Sequence, residues 1–150
     1  MPCPNGGEWL KDHVRRLRAA GVDIVVSLLP VREAAYLDLL EEAAVCEVNG
    51  IICLSFPIED RAAPGCKAEV TAFVERLANE LDKGNAVAIH CRAGIGRSSL
   101  IAASVLVRNG MTSDQAFDRI RAARECDVPD TPIQRIWVRE FEEHLRFNRN

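Results

Sequence analysis

The sequence predicts an α/β fold in which a central, mostly parallel sheet of about four strands is flanked by helices. Short apolar runs rich in β-branched residues, at 22–29, 51–56 and 86–89, alternate with segments of helical periodicity. Strands that alternate with helices join through right-handed crossovers and pair in parallel. Since 150 residues suffice for one core, we expect one domain over 1–150.

The first half of the chain contains two predicted helices and two predicted strands. Apolar residues at helical spacing, followed by Gly21, predict a helix over 8–20. The run 22–29 is nearly all apolar, which is typical of a strand that helices cover on both faces. An alanine- and leucine-rich segment predicts a helix over 31–46, and the run 51–56 predicts a second buried strand.

The second half begins with a loop over 57–65, which contains a proline near each end. An amphipathic helix is predicted over 66–82, and the apolar run 86–89 predicts a third buried strand. The last third of the chain is predicted to be helical, because its apolar residues recur at helical spacing between cap and glycine signals. The helices expected there cover 97–109, 112–124 and 131–147.

Composition argues against several classes of function. The net charge of -3 and the low aromatic content of 5% argue against a nucleic-acid partner. No apolar run is long enough for a membrane span, and no N-terminal secretion signal is recognisable. The six cysteines show neither a CxxC pair nor a Cys/His metal spacing. We therefore expect a reduced, cytoplasmic, monomeric protein with no metal and no cofactor.

The most informative segment is HCRAGIGRSS at 90–99, which lies between the third strand and the helix that begins at Arg97. Backbone N–H groups across such a turn form a nest for an anion, and the helix N-terminus adds positive potential. Both features should lower the pKa of Cys91, so that it is a thiolate nucleophile at neutral pH. The residues predicted to bind phosphate are Arg92, Ala93, Gly94, Ile95, Gly96 and Arg97.

Three side chains around this cysteine have distinct expected roles. The planar fork of Arg97 can hold two phosphate oxygens, which a lysine could not do. The hydroxyl of Ser98 can donate to the sulfur and make the thiolate a better leaving group. His90 is expected to fix the loop by hydrogen bonds and to add to the local positive field, or to be a satisfied core histidine.

The run His-Cys-x5-Arg-Ser at 90–98 resembles the signature of the cysteine-dependent protein tyrosine phosphatases, and its full form is similar to that of their small, dual-specificity-like bacterial branch. The segments 21–29 and 127–134 are also similar to this branch, so the resemblance covers nearly the whole chain. It implies a protein tyrosine phosphatase-like fold and metal-independent hydrolysis through a cysteinyl phosphate. Relatives often have an extra edge strand before the Gly-Gly segment, where this chain has residues 1–5, and this leaves the size of the sheet open.

The resemblance also implies a proton donor and an accessory glutamine. The family carries its general acid in a Phe-Pro-Ile-x-Asp-like setting, which places it on Asp60 in the loop 57–65, with Glu59 as the alternative. After donating its proton, the acid can act as a base toward water. Gln134 matches a glutamine that lies near the pocket, where it would orient water or brace the loop. Alternatively, Gln134 only joins a helix cap that Thr131 begins.

These residues predict hydrolysis of protein phosphotyrosine, with a phosphorylated protein or peptide as partner and with phosphoserine and phosphothreonine left open. The apolar Ile95 favours aryl phosphates, and a phosphoinositide phosphatase is the alternative. A phospho-binding pseudophosphatase would lack Cys91, Arg97 or Asp60, and rhodanese-like loops differ in length. Cys53 is either a resolving thiol for an oxidised Cys91 or, more simply, a core residue.

Overall fold

The structure, a computed structural model, describes residues 1–148. Three strands and seven α-helices alternate over this range, and a 3-10 turn (Gly7–Trp9) precedes the first helix. None of the helices over residues 1–148 is both long and apolar enough to cross a membrane. The elements are α1 (Leu10–Ala19), β1 (Ile24–Ser27), α2 (Val31–Tyr36), α3 (Glu42–Val48), β2 (Ile52–Ser55), α4 (Lys67–Asp82), β3 (Val87–His90), α5 (Arg97–Arg108), α6 (Ser113–Arg124) and α7 (Pro132–Asn148).

The sheet has the strand order β2-β1-β3, and both pairs of strands are parallel. The predicted α/β fold is therefore confirmed, but the described residues form three strands instead of about four. Beside the edge strand β3, the Met1 amino group donates to the Ile89 carbonyl at 2.7 Å, and the Cys3 N–H donates to the Arg92 carbonyl at 3.1 Å. These two bonds partly cover the edge where an extra strand is expected.

Two groups of helices cover the two faces of the sheet. Helices α4 to α7 enclose the larger core, which contains Val26, Leu54 and Leu100. Helices α1 and α3 cover the other face around Val14 and Val25. Val25 and Val26 belong to different cores because successive side chains of a strand point to opposite faces. All four residues of β1 are buried, as its apolar run predicts.

Strand β2 differs from β1, although both runs are apolar. The prediction of a second buried strand is wrong, because Ile52 is 53% exposed and Ser55 is also exposed. β2 lies at the edge of the sheet, so only one of its sides has a neighbouring strand. An apolar run alone does not distinguish an edge strand from a central one.

The helix predicted over 31–46 is in fact two helices, α2 and α3. The chain leaves α2 through Asp38, whose φ of 54° lies in the left-handed region and whose carbonyl accepts a backbone N–H from the 3-10 turn at 3.0 Å. The turn buries Leu39, which favours the break. In one continuous helix, Glu33 and Glu42 would point about 180° apart, at about 100° per residue. The break lets both glutamates face the signature segment.

Candidate active site

The signature loop, residues 91–96, joins β3 to α5 in a closely packed turn. Gly94 has a φ of 71°, and a Cβ there would lie 2.2 Å from the carbonyl carbon of Met1. A Cβ on Gly96 would lie 2.8 Å from Oε1 of Gln134. Both positions therefore require glycine, the first for its dihedral angle and both for the close approach. The neighbouring segments thus hold the shape of the loop from outside.

Cys91 lies at the base of this loop, and its side chain is buried. Its Sγ accepts the Gly94 N–H at 3.2 Å and lies 3.5 Å from the hydroxyl oxygen of Ser98. Burial raises the pKa of the thiol. The hydrogen bonds from Ser98 and Gly94 and the charge of Arg97 outweigh burial, so the net pKa of Cys91 is lowered. The thiolate is therefore favoured by nearby donors and positive charge.

Arg97 begins α5 and is only 2% exposed. Glu33 of α2 holds its guanidinium in a bidentate pair, with Nη1–Oε2 and Nη2–Oε1 distances of 2.7 and 2.9 Å. Nη1 also donates to the Ile58 carbonyl at 3.1 Å, and Nη2 lies 3.1 Å from Oδ1 of Asp60. Burial lowers the pKa of Arg97, but the pairing with Glu33 outweighs it, so the net pKa is raised. The same pair lowers the pKa of Glu33.

His90, the last residue of β3, is fully buried. Its Nε2 lies 2.8 Å from Oε1 of Glu42, and its Nδ1 lies 3.3 Å from the carbonyl oxygen of Cys91. Glu42 comes from the first turn of α3 and is 4% exposed. The imidazole therefore connects the first peptide of the signature loop to a helix on the opposite face of the sheet from α5.

A cavity of about 160 Å³ lies above Cys91. Asp60 lines it from the acid loop, residues 57–65, and is 63% exposed. The neighbouring Glu59 pairs instead with Arg32 at the surface. A larger hollow of about 600 Å³ beside α3 and β2 is mostly apolar and contains no anion-binding turn, so size does not identify the site. The cavity above Cys91 is lined by Asp60, Arg61, Cys91, Arg92, Ala93, Ile95, Gly96, Arg97, Asp130 and Gln134.

The acid loop is anchored to the start of α7. Side chains from α7 and from the residues before it reach three successive parts of the loop, two of them through backbone carbonyls. Because the anchors are distributed along the loop, its position depends on α7. The anchors are the ion pair of Arg61 Nη1 with Asp130 Oδ2 at 3.2 Å, the bond from Gln134 Nε2 to the Ala62 carbonyl at 3.1 Å, and the bond from Trp137 Nε1 to the Pro64 carbonyl at 2.8 Å.

Gln134 is fully buried and makes two kinds of contact. Its N–H donates to Oγ1 of Thr131 at 3.3 Å, and its Oε1 accepts the Thr131 N–H at 3.2 Å, so the two residues form a reciprocal cap. Pro132 occupies the first position of the helix. The remaining Gln134 contacts, with Ala62 and Gly96, are those of a residue that braces both loops.

Cys53 does not approach Cys91. It packs on the face that α1 and α3 cover, together with Cys46, whereas Cys91 belongs to the larger core. Alternation along β2 places the Cys53 side chain on that face. A hydrogen bond with Cys46 and burial raise the pKa of Cys53, which disfavours its reactive thiolate. The structure therefore contradicts the role of Cys53 as a resolving thiol and agrees with its being a core residue.

Arg92 lines the cavity, and Tyr36 contacts Arg92 from outside the cavity lining. The Arg92 guanidinium carbon lies 5.6 Å from the centroid of the Tyr36 ring, and both side chains are exposed. Among the described residues, Arg92 has no carboxylate partner within ion-pair distance, in contrast to Arg97, Arg61 and Arg32. The cavity lining therefore includes an exposed positive charge, and an aromatic ring packs against that charge.

Sequence reasoning missed Glu33, Glu42 and Asp130. The two glutamates stand in the predicted helix 31–46, where acidic residues are usually solvated, and no spacing connects them to residues 90–97. Only the break between α2 and α3 brings them to the loop. Asp130 lies inside the segment 127–134, whose resemblance to the bacterial phosphatases was a usable signal for it.

Comparison with known proteins agrees with this geometry. Residues 1–111 match the family model Tc-R-P, described as polymorphic toxin system, DSP-PTPase phosphatase. The chain belongs to this family. It is thus a member of the cysteine-dependent protein tyrosine and dual-specificity phosphatase superfamily, as the resemblance of HCRAGIGRSS implies.

Curated relatives point the same way. The chain is 29% identical over 140 residues to protein tyrosine phosphatase type IVA 3 of Bos taurus, which covers 92% of this chain and 76% of the bovine protein. It is 34% identical over 98 residues to cyclin-dependent kinase inhibitor 3 of Sus scrofa, which covers 64% of this chain and 46% of the pig protein. The match therefore spans most of the bovine relative but less than half of the pig relative.

Solved structures share the fold. Kinase associated phosphatase, crystallised with its catalytic-site cysteine replaced by serine, superposes with a TM-score of 0.88 at 23% identity, covering 97% of this chain and 85% of that one. Tk-PTP in its active form superposes with a TM-score of 0.77 at 26% identity, covering 95% and 88%. The likeness extends past residue 111, so the helices beyond the family match also belong to the shared fold.

Proposed function

We propose that the protein hydrolyses phosphomonoesters, with protein phosphotyrosine as substrate, through a cysteinyl-phosphate intermediate. The observation that carries this proposal is the convergence of three groups on one 160 Å³ cavity: the buried Cys91 sulfur, the Arg97 guanidinium and the Asp60 carboxyl. A nucleophile, an oxyanion clamp and a proton donor are the parts that acyl or phosphoryl transfer through a covalent intermediate requires.

In the first step, the phosphate binds to the loop N–H groups and to Arg97. The Nη2 contact with Asp60 then gives way to a phosphate oxygen, because both compete for the same donor. The Cys91 thiolate attacks phosphorus as the bond from phosphorus to the ester oxygen breaks. Asp60, released from Arg97, takes up a proton from solvent and donates it to the leaving oxygen. Arg97 remains in place because Glu33 holds its other edge.

In the second step, water attacks the cysteinyl phosphate. Asp60, now a carboxylate, accepts a proton from this water, and the bond between sulfur and phosphorus breaks. The thiolate that leaves is stabilised by the Ser98 hydroxyl, 3.5 Å from the sulfur, and by the Gly94 N–H. Gln134 supports this step by bracing the acid loop and the signature loop.

The rim favours phosphotyrosine. Ile95 supplies an apolar contact beside the cavity and Tyr36 an aromatic one, which suit an aryl group. A phosphoinositide is the second candidate, and the observation that favours it is the exposed charge of Arg92 at the rim. One relative, from Arabidopsis thaliana, is named a phosphatidylinositol 3,4,5-trisphosphate 3-phosphatase and protein-tyrosine-phosphatase. The chain spans 24% of that protein.

Hydrolysis of p-nitrophenyl phosphate in the presence of a chelator tests the proposal. We expect turnover by the wild type and none by Cys91→Ser. A folded protein that binds a phosphotyrosine peptide without turning it over would instead indicate a pseudophosphatase. Initial rates on phosphotyrosine, phosphoserine and phosphothreonine peptides and on phosphoinositide vesicles then rank the substrates, and faster release from the vesicles would overturn the phosphotyrosine assignment.

The acid is tested by a matched pair of neighbouring substitutions. Asp60→Asn should slow hydrolysis about 10²-fold or more for substrates with poor leaving groups, and less for p-nitrophenyl phosphate. Glu59→Gln removes the adjacent charge and should leave both rates nearly unchanged, because Glu59 pairs with Arg32 outside the cavity. The reverse pattern would move the proton donor to Glu59.

A further inference from the structure

The two hydrogen bonds of His90 connect the protonation of its ring to that of Glu42. Nε2 lies 2.8 Å from a carboxyl oxygen of Glu42, and Nδ1 lies 3.3 Å from the carbonyl oxygen of Cys91. A carbonyl only accepts hydrogen bonds, and so does an ionised carboxylate. Beside an ionised Glu42, each ring nitrogen must carry a hydrogen to bond both partners, and the ring that does so is the imidazolium.

Burial makes this pair interdependent. His90 is 0% and Glu42 4% exposed, and within residues 1–148 the bond to His90 is the one hydrogen bond recorded for the Glu42 carboxylate. A buried charge without a partner is costly, whereas two opposite charges in contact offset each other. The structure places no second cation in ion-pair contact with Glu42 among the described residues. If either group is charged, the other is therefore the partner that offsets its burial.

Three cysteines besides the nucleophile lie near Glu42. Burial raises the pKa of Cys3, and the hydrogen bond between Cys46 and Cys53 raises the pKa of Cys53 and lowers that of Cys46. At each of the three, the charge of Glu42 is a smaller contribution that raises the pKa. On the loop side, Ser98, the Gly94 N–H and the charge of Arg97 favour the Cys91 thiolate.

We propose that Glu42 is a positioning residue that keeps His90 as an imidazolium beneath the signature loop. The imidazolium draws the Cys91 carbonyl away from the cavity, so that the N–H groups that follow point into it. It also places a second positive charge, after Arg97, near the sulfur and so favours the thiolate. This inference rests on the proposed function only in taking Cys91 as the nucleophile.

The protonation state can be observed directly by nitrogen NMR of the imidazole rings. The His90 signals are identified by subtracting those of His13 and His144 with the variants His13→Gln and His144→Gln. In the wild type we expect both His90 nitrogens to carry hydrogen at pH 7.5. One bare nitrogen in the folded wild type would overturn the proposal, and this measurement needs no variant of the pair itself.

The effect on the nucleophile is measured by the rate at which iodoacetamide alkylates Cys91 as a function of pH. Glu42→Gln, of the same shape without the charge, should move the midpoint up by about one pH unit and slow alkylation at pH 6 about tenfold. Glu47→Gln removes a charge from the exposed face of the same helix and should leave the midpoint unchanged. A purely structural role predicts an unchanged midpoint, and a neutral His90 over a charged Glu42 predicts a lower one. Either result would refute the proposal.

Neither measurement depends on turnover. Suppose that p-nitrophenyl phosphate is not hydrolysed, but His90 is doubly protonated and Glu42→Gln raises the midpoint of Cys91 alkylation. The proposed function is then wrong, and the proposed charge pair is confirmed. If turnover is normal while His90 has one bare nitrogen, the reverse holds.

Discussion

Arg97 and His90 lie on either side of Cys91, and a glutamate from a neighbouring helix holds each of them. Arg97 is held by Glu33 of α2 at the floor of the cavity, and His90 is held by Glu42 of α3 beneath the loop. Arg97 has two further partners in Ile58 and Asp60, whereas within residues 1–148 the only other hydrogen bond of the His90 ring is to the Cys91 carbonyl. The first pair thus faces the substrate, and the second is sealed inside the protein.

The difference indicates how each pair acts. In the proposed mechanism, Arg97 exchanges a partner when phosphate binds, and Glu33 keeps the guanidinium oriented while Asp60 leaves. His90 exchanges nothing, so Glu42 acts on the shape and charge of the loop before any substrate binds. Substitutions in the first pair should therefore change turnover most, and those in the second should change stability and the ionisation of Cys91.

The largest effect is expected from Arg97→Lys. Lysine keeps the charge but cannot bond Glu33 and two phosphate oxygens in one plane. We expect kcat for p-nitrophenyl phosphate to fall about 10³-fold, in the range for loss of an oxyanion donor. Circular dichroism serves as the folding control. A fall of less than tenfold would mean that charge alone, and not the bidentate geometry, is what Arg97 supplies.

A smaller loss is expected from Glu33→Gln. The amide can accept a hydrogen bond from only one Nη group, so the guanidinium can rotate out of line, and misplacement of this kind costs about 10²-fold in rate. The measurement is kcat/KM for p-nitrophenyl phosphate, with Glu47→Gln as the matched loss of a surface charge. Equal rates for the two variants would show that Asp60 and Ile58 suffice to orient Arg97.

For the free energy of unfolding, we expect the opposite order: substitution of Glu42 should cost more than substitution of Glu33. Glu42→Ala leaves the buried Nε2 of His90 without a partner and should lower the free energy of unfolding by about 3 kcal/mol. Glu33→Ala should lower it less, because Arg97 retains Asp60 and Ile58. Urea unfolding at neutral pH measures both values. A greater loss for Glu33→Ala would remove the distinction between the two pairs.

The smallest effect concerns pH. The pKa of Glu33 is lowered in the folded state by Arg97, so its contribution to stability is present above the unfolded pKa and is lost as pH falls through the folded pKa. Wild type and Glu33→Gln should therefore differ most in unfolding free energy at pH 7, and the difference should shrink as the pH falls below the ordinary glutamate pKa of about 4.3. A difference that stays constant over this range would mean that the ion pair adds no stability.

The contrast between the pairs also shows what the sequence could predict. The arrangement of Cys91 and the turn that follows it could be predicted because their residues are contiguous and lie between a strand and a helix. Asp60 could be predicted because its loop resembles the acid loop of the family. Glu33 and Glu42 were not, since their approach depends on a break at Asp38 that a contact with the distant 3-10 turn stabilises. Long-range contacts of this kind leave no local pattern in the sequence.

The fold, like the site, was predictable only in part. Apolar runs located the three strands, and the alternation with helices gave their parallel arrangement. The runs of β1 and β2 are alike in composition, yet β1 is central and β2 is at the edge, because strand order depends on which crossover packs on which face. The number of strands was left open by the short segment 1–5, which crosses the edge of β3 without joining the sheet.

The acid loop is anchored to α7, so the residues that support the loop lie far along the chain from the proposed reactive residues. The family match ends at residue 111, and it includes Cys91, Arg97 and Asp60. The residues that fix Asp60 over the sulfur, Gln134 and Trp137 among them, come after it. A fragment that ends at residue 111 would retain every reactive group but not the support of its proton donor. If Asp60 is the proton donor, substitutions in α7 that break these contacts should therefore slow leaving-group protonation without touching a reactive group.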